Sequence, residues 1–240
     1  MGRWLIQLVG EHRDLEEFPY WFPEGEIYAF EEDDKVFLTG SRLERCSEAI
    51  EVQETALQIV DEYSAVISLL WPAHKRPEIV AIIRETDDGK RNQFIFTPFI
   101  ESRAKLHHLA VRGVGQAEET LTQTRGQQLI NAASSNHHLR TGLHLWGDQI
   151  RTWPRLYRIL EELETYLGQK MDHIGFCSKQ ERSRFTHSAN CAETAGKDAR
   201  HAGGKFDPPE KPMALGEATE FIRALLEQTL SNAASTDRID

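Results

Sequence analysis

The sequence predicts an α+β protein: an N-terminal antiparallel sheet with one long amphipathic helix, followed by an all-α bundle of four or five helices. Three observations carry this. Short β-branched and aromatic runs are confined to the first 105 residues. The segment "CSEAIEVQETALQIVDEYSAVISLLW" repeats apolar residues at alternating spacings of three and four, which places them on one helix face. Beyond residue 105 strand signals cease and helical patterns follow one another. An antiparallel sheet and an amphipathic helix each carry one apolar face, and packing them together buries both.

The elements follow in order. "WLIQLV" (4–9), "EIYAF" (26–30) and "KVFLTG" (35–40) read as strands, the last two flanking "EEDD" as a hairpin. In the long helix Ala49, Val52, Ala56, Ile59, Tyr63, Val66 and Leu70 form the stripe, with Ser47 as N-cap and Pro72 as the stop. "PEIVAIIRET" and "NQFIFTPFIES", separated by "DDGKR", make the clearest hairpin. The glycine-rich "GVGQAEETLTQT" sets a boundary near 106–118, hence an α+β domain over 1–112 and a helical bundle over 118–232. "RGQQLINAASSNHHLRTGLHLW" (125–146) reads as one helix with Leu129, Ala133, Leu139, Leu143 and Trp146 inward. The next, over 153–167, has Pro154 in its first turn, a stripe of Leu156, Leu160, Leu163 and Leu167, and Gly168 at its end. Ser178 and Glu181 form a capping box that starts a helix at 179. A last helix follows "DPPEKP", striped by Ala218, Phe221, Leu225 and Thr229, and the polar tail 233–240 is expected to fray.

Composition narrows the function. With 40% hydrophobic and 28% charged residues the chain is an ordinary globular one. No apolar run approaches the ~20 residues that span a bilayer. The N-terminal apolar stretch is too short and too soon charged for a signal peptide, so a cytoplasmic protein without membrane contact is expected. Cys46, Cys177 and Cys191 are widely spaced and odd in number, which gives neither a zinc ribbon nor a redox pair. Of the net charge of −10, residues 1–105 hold 21 acids against 12 bases, and residues 106–240 hold 17 against 16. The acidic first part repels polyanions, so any nucleic-acid contact belongs to the second. Eight of the ten histidines lie there too, but His137, His138 and His144 lack the i, i+4 spacing of a chelating pair. No P-loop, GxGxxG or GxSxG pattern occurs, and no cofactor is expected.

One polar stretch stands out, "RSRFTHSANCAETAGKDARHAGGKF" (182–206). Arg182, Arg184 and His187 fall on the helix that starts at 179, and Arg200 and His201 follow a short excursion. A guanidinium offers a planar fork to phosphate, and an imidazole exchanges protons near neutral pH. Together they suit a phosphodiester whose 2′-hydroxyl is deprotonated during cleavage. The other reading of the same residues is structural: arginines paired with Glu161, Glu164 or Asp198, and packed histidines.

The Arg-x4-His pattern of "RSRFTH", Arg182 and His187 with Ser183 after the arginine, resembles that of the HEPN superfamily. Members of that superfamily are helical bundles that often act in RNA cleavage or in bacterial toxin and anti-phage systems. The resemblance covers residues 120–232. It implies that His187 acts as general acid or base and Arg182 as the phosphate contact, with Arg184, Arg200 and His201 as substrate-binding groups. The reaction would be metal-independent cleavage of RNA by a homodimer formed through the helical domain. Arg103 and His108 in "RAKLHH" share the spacing outside the bundle, and Arg200–His201 does not fit it. The alternative is a non-catalytic protein-interaction or small-anion-binding protein in which the Arg/His cluster is a structural network.

Overall fold

A computed structural model describes residues 2–94, 123–148, 150–199 and 209–236. In the N-terminal part, strand β1 (Arg3–Val9) is followed by helix α1 (His12–Trp21), strands β2 (Ile27–Glu32) and β3 (Lys35–Gly40), and the short helix α2 (Ser41–Glu44). The long helix α3 (Ala49–Leu70) precedes the hairpin β4 (Glu78–Glu85) and β5 (Arg91–Phe94). The helical part holds α4 (Arg125–Ser135), α5 (His137–Gly147), α6 (Trp153–Leu167), α7 (Lys179–Asn190), the one-turn α8 (Ala192–Ala195) with a 3-10 turn after it, and α9 (Leu215–Thr236).

The five strands form one antiparallel sheet in the order β2-β3-β1-β4-β5. β1 is central, and its alternation gives the sheet two faces. Trp4, Ile6 and Leu8 join the main core, whereas Leu5 packs with Phe37, Ala81 and Ile83 on the opposite face. Arginines cover that second face, with Arg3 over the Phe30 ring and Arg91 over the Phe37 ring, and Glu85 pairs with both. Stacking a guanidinium on an aromatic ring shields apolar area while the charge stays wet.

Helix α3 lies between the sheet and the helical part. Its N-terminus is closed by a capping box between Glu48 and Glu51, one residue beyond the expected Ser47, whose N–H and hydroxyl also bind Glu51. It ends at Leu70, two residues before Pro72. On one side the Tyr63 hydroxyl donates to the Ile27 carbonyl of β2. On the other, α3 packs against α4, α5 and α9. One apolar cluster therefore runs from Trp4 and Leu38 of the sheet through Ile59 and Ile67 to Leu143, Leu163 and Leu226. The boundary expected at 106–118 lies outside the described residues.

Three elements differ from expectation. The helix expected over 125–146 is two helices, because Asn136 adopts extended backbone and its side chain accepts from the His138 N–H as a new N-cap. Helix α1 was unforeseen: "HRDLEEFPYW" is polar and contains Pro19, and what holds it is the full burial of Phe18 and of Phe22 just past its end. Helix α9 runs to Thr236, past the expected end of the bundle at 232.

Candidate functional site

Helix α7 carries the expected site residues, and its local structure is fully encoded. The Ser178 hydroxyl accepts from the Glu181 N–H at 3.1 Å, and the Glu181 carboxylate accepts from the Ser178 N–H at 2.8 Å. This capping box fixes the rotation of the helix. Phe185, Ser188 and Ala189 then point inward. Phe185 is fully buried among Trp153, Tyr157 and Phe221, and the Ser188 hydroxyl accepts from the Met213 N–H.

The charged residues point elsewhere, each in its own direction. Arg182 lies on the flank facing α6, where Nε donates to Glu164 Oε1 at 2.6 Å and Nη2 to Glu164 Oε2 at 2.7 Å. Asp172 stands 3.5 Å from the same Nε, and both carboxylates hold the Arg182 pKa above its ordinary value, the Glu164 hydrogen bonds contributing most. Glu164 also accepts from the Met171 N–H, so one carboxylate ties α6, the loop after it and α7 together. Arg184 turns to the opposite flank, donating to the Lys211 and Pro212 carbonyls and to both oxygens of Glu217. His187 is exposed. Five residues on an α-helix are roughly 140° apart, so Arg182 and His187 do not share a face. Arg200 and His201, the supporting pair, lie outside the described residues, as do Arg103 and His108. Cys177, near this network, has its thiol pushed up to about 11, by burial first and then by Asp172 and Glu181, so it stays protonated at neutral pH.

A second polar locus has no counterpart in the sequence reading. A cavity of about 300 Å³ opens where the C-terminal end of α3, the end of α5 and the first turns of α9 meet. Pro72 turns the chain after α3, which brings His74, Lys75 and Arg76 onto the cavity wall beside Ser64 and Ser68. Trp146 Nε1 donates to the Ser68 hydroxyl at 2.9 Å, and Arg223 Nη1 donates to the Leu69 carbonyl at 3.0 Å, so α5 and α9 are both anchored on the end of α3. Gly147 permits the close approach, since a Cβ there would sit 3.1 Å from Ala65 Cβ and 3.2 Å from the Asp61 carbonyl oxygen.

Four cations line the cavity, and three are neutralised. Lys75 pairs with Glu11, Arg76 with Asp61, and Arg223 with Glu220 and Glu227. The fourth, Arg151, has no carboxylate within ion-pairing distance among the described residues. The nearest acid, Asp148, gives its carboxylate to Arg155 at 2.6 Å and only its carbonyl to Arg151. Arg151 lies 4.0 Å above the Trp146 ring centroid, and its pKa is lowered, by burial first and then by Arg155. Two neutral polar residues border the cavity with their polar side-chain atoms buried behind its wall. Ser64 is 4% exposed, the His74 side chain 1%, and neither the Ser64 hydroxyl nor either His74 ring nitrogen makes a hydrogen bond. His74 Nδ1 comes within 3.3 Å of Asp14 Oδ1, but burial drives its pKa down to about 4, so the imidazole is neutral and the contact is no ion pair. Asp14 is held above the ordinary carboxylate range, also chiefly by burial, while accepting from the Lys75 N–H.

No helix among the described residues is long and apolar enough to cross a membrane. No protein-family model, curated protein or solved structure matches the chain. The HEPN resemblance rests on the residues of "RSRFTH" alone.

Proposed function

We propose that this chain is a non-catalytic binding protein, of the protein-interaction or small-anion type, in which the arginines of α7 form a structural network. The observation that supports this reading is the fork of Arg182 on Glu164, with Asp172 behind it. A guanidinium whose two donor edges already meet a part-buried carboxylate has to abandon it to hold a phosphate, and that leaves Glu164 and Asp172 uncompensated. Arg184, turned onto Glu217 and two carbonyls, is committed in the same way.

RNA cleavage by a homodimer, the function implied by the resemblance, makes the opposite demand: Arg182 and His187 have to act on one phosphodiester. Incubating native protein and His187→Ala with single-stranded RNA in chelator separates the two. The binding-protein reading expects no cleavage by either. It also expects unchanged melting in the variant, because His187 is exposed. Cleavage that falls roughly 10²–10⁴-fold in His187→Ala, the usual scale for loss of a general acid or base, with melting unchanged, would overturn it.

A further inference from the structure

We infer that the cavity between α3, α5 and α9 is a binding site for a small carboxylate-bearing molecule, gripped by the Arg151 guanidinium. This rests on the reading of the chain as a binding protein and adds the place and the ligand class.

The charge count selects the ligand. Arg151 is the one lining cation not already matched by a carboxylate among the described residues, so the site has a single positive charge to offer. One negative charge neutralises it. A phosphate dianion would be over-charged here, with Glu220 on the wall and Asp14 behind His74. A guanidinium meets a carboxylate edge to edge through two parallel hydrogen bonds, and Arg151 uses one nitrogen on the Asp148 carbonyl, leaving donors on the others. The Trp146 ring beneath it fixes the plane of the fork.

Trp146 and Pro72 supply apolar wall for the ligand body. A volume of about 300 Å³ sits at the small end of ligand pockets, which excludes a nucleotide chain and fits a molecule of acetate to benzoate size.

The test is calorimetric titration of the native protein with sodium acetate, sodium benzoate and inorganic phosphate at constant ionic strength, with tryptophan fluorescence recorded in parallel. The expected result is saturable binding of a carboxylate, tighter than that of phosphate. Affinity should fall at least tenfold in Arg151→Met, and the bound carboxylate should change the tryptophan fluorescence of the native protein, since Trp146 lies under Arg151. If Arg151→Met melts far below the native protein, Arg151→Lys replaces it, keeping the charge and losing the fork, with the same tenfold loss expected. No saturable carboxylate binding, binding indifferent to Arg151, or tighter binding of phosphate would each overturn the inference. None of these results bears on the RNA incubation, so the two readings fail separately.

Discussion

Arg182 and Glu164 meet through two parallel hydrogen bonds of 2.6 and 2.7 Å, and that pair is the seam between α6 and α7. Glu164→Gln removes the charge but keeps the shape, leaving Arg182 with Asp172 alone. Losing charge-assisted bonds in a part-buried setting costs about 2 kcal/mol, or roughly 4–8 °C of melting temperature for a chain of this length. Differential scanning calorimetry reads this directly. A variant that melts with the native protein would show the pair to be ornamental and would return Arg182 to the list of groups available to substrate.

Gly126 marks the tightest approach of α4 to α1. A Cβ there would lie 2.8 Å from Trp21 Cβ and 3.1 Å from Phe22 Cε1. Neither neighbour can swing away, since Phe22 is fully buried and the Thr124 hydroxyl donates to the Trp21 carbonyl. Gly126→Ala is expected to destabilise by about 1–3 kcal/mol through overpacking. Gly142→Ala is the control: its Cβ would find Leu163 and Leu226 at an ordinary 3.7 Å, and helix propensity favours alanine by up to about 1 kcal/mol. Chemical denaturation of both variants checks the contrast, and equal midpoints would refute it.

His74 makes stability depend on pH on the acid side. Its folded pKa of about 4 lies below the ordinary ~6.5 of an unfolded chain. Above 6.5 the imidazole is neutral in both states. Between 6.5 and 4 the unfolded chain takes up the proton and the folded chain does not, so stability falls with pH, by roughly 3 kcal/mol in all. Asp14, whose pKa is raised, works in the opposite sense by taking its proton more readily when folded. The comparison of native protein with His74→Asn isolates the imidazole. The native melting temperature should drop more steeply from pH 6.5 to 4 than the variant's, and parallel curves would contradict the assignment.

Much of the fold was legible because the signals were local. The capping box of Ser178 and Glu181, Gly168 in the left-handed conformation after α6, and the apolar stripe of α3 each lie within a few turns of chain. The break at Asn136 hid because the apolar rhythm runs on through it, from Leu129 and Ala133 to Leu139 and Leu143, while one side chain resets the backbone. Helix α1 hid for another reason: its helicity is imposed by burial of Phe18 against residues far along the chain. The sites divide in the same way. Spacing alone picks out Arg182 and His187 and already puts them on different faces, but that Arg182 is committed depends on Glu164, 18 positions away. The cavity brings together the end of α3 with its Pro72 turn, Trp146 and Arg151, and the start of α9, and no motif spans them.

Helix α3 is held on two sides at once, by the Ile27 carbonyl against Tyr63 and by Trp146 and Arg223 at its far end. In evolutionary terms it is a shared hinge pin. A recombination event that exchanged the sheet for a foreign one would strip α4, α5 and α9 of the surface they were shaped against, and the converse exchange would do the same to the sheet. On this packing the two parts would exchange only together, since a change on one face of α3 is felt on the other.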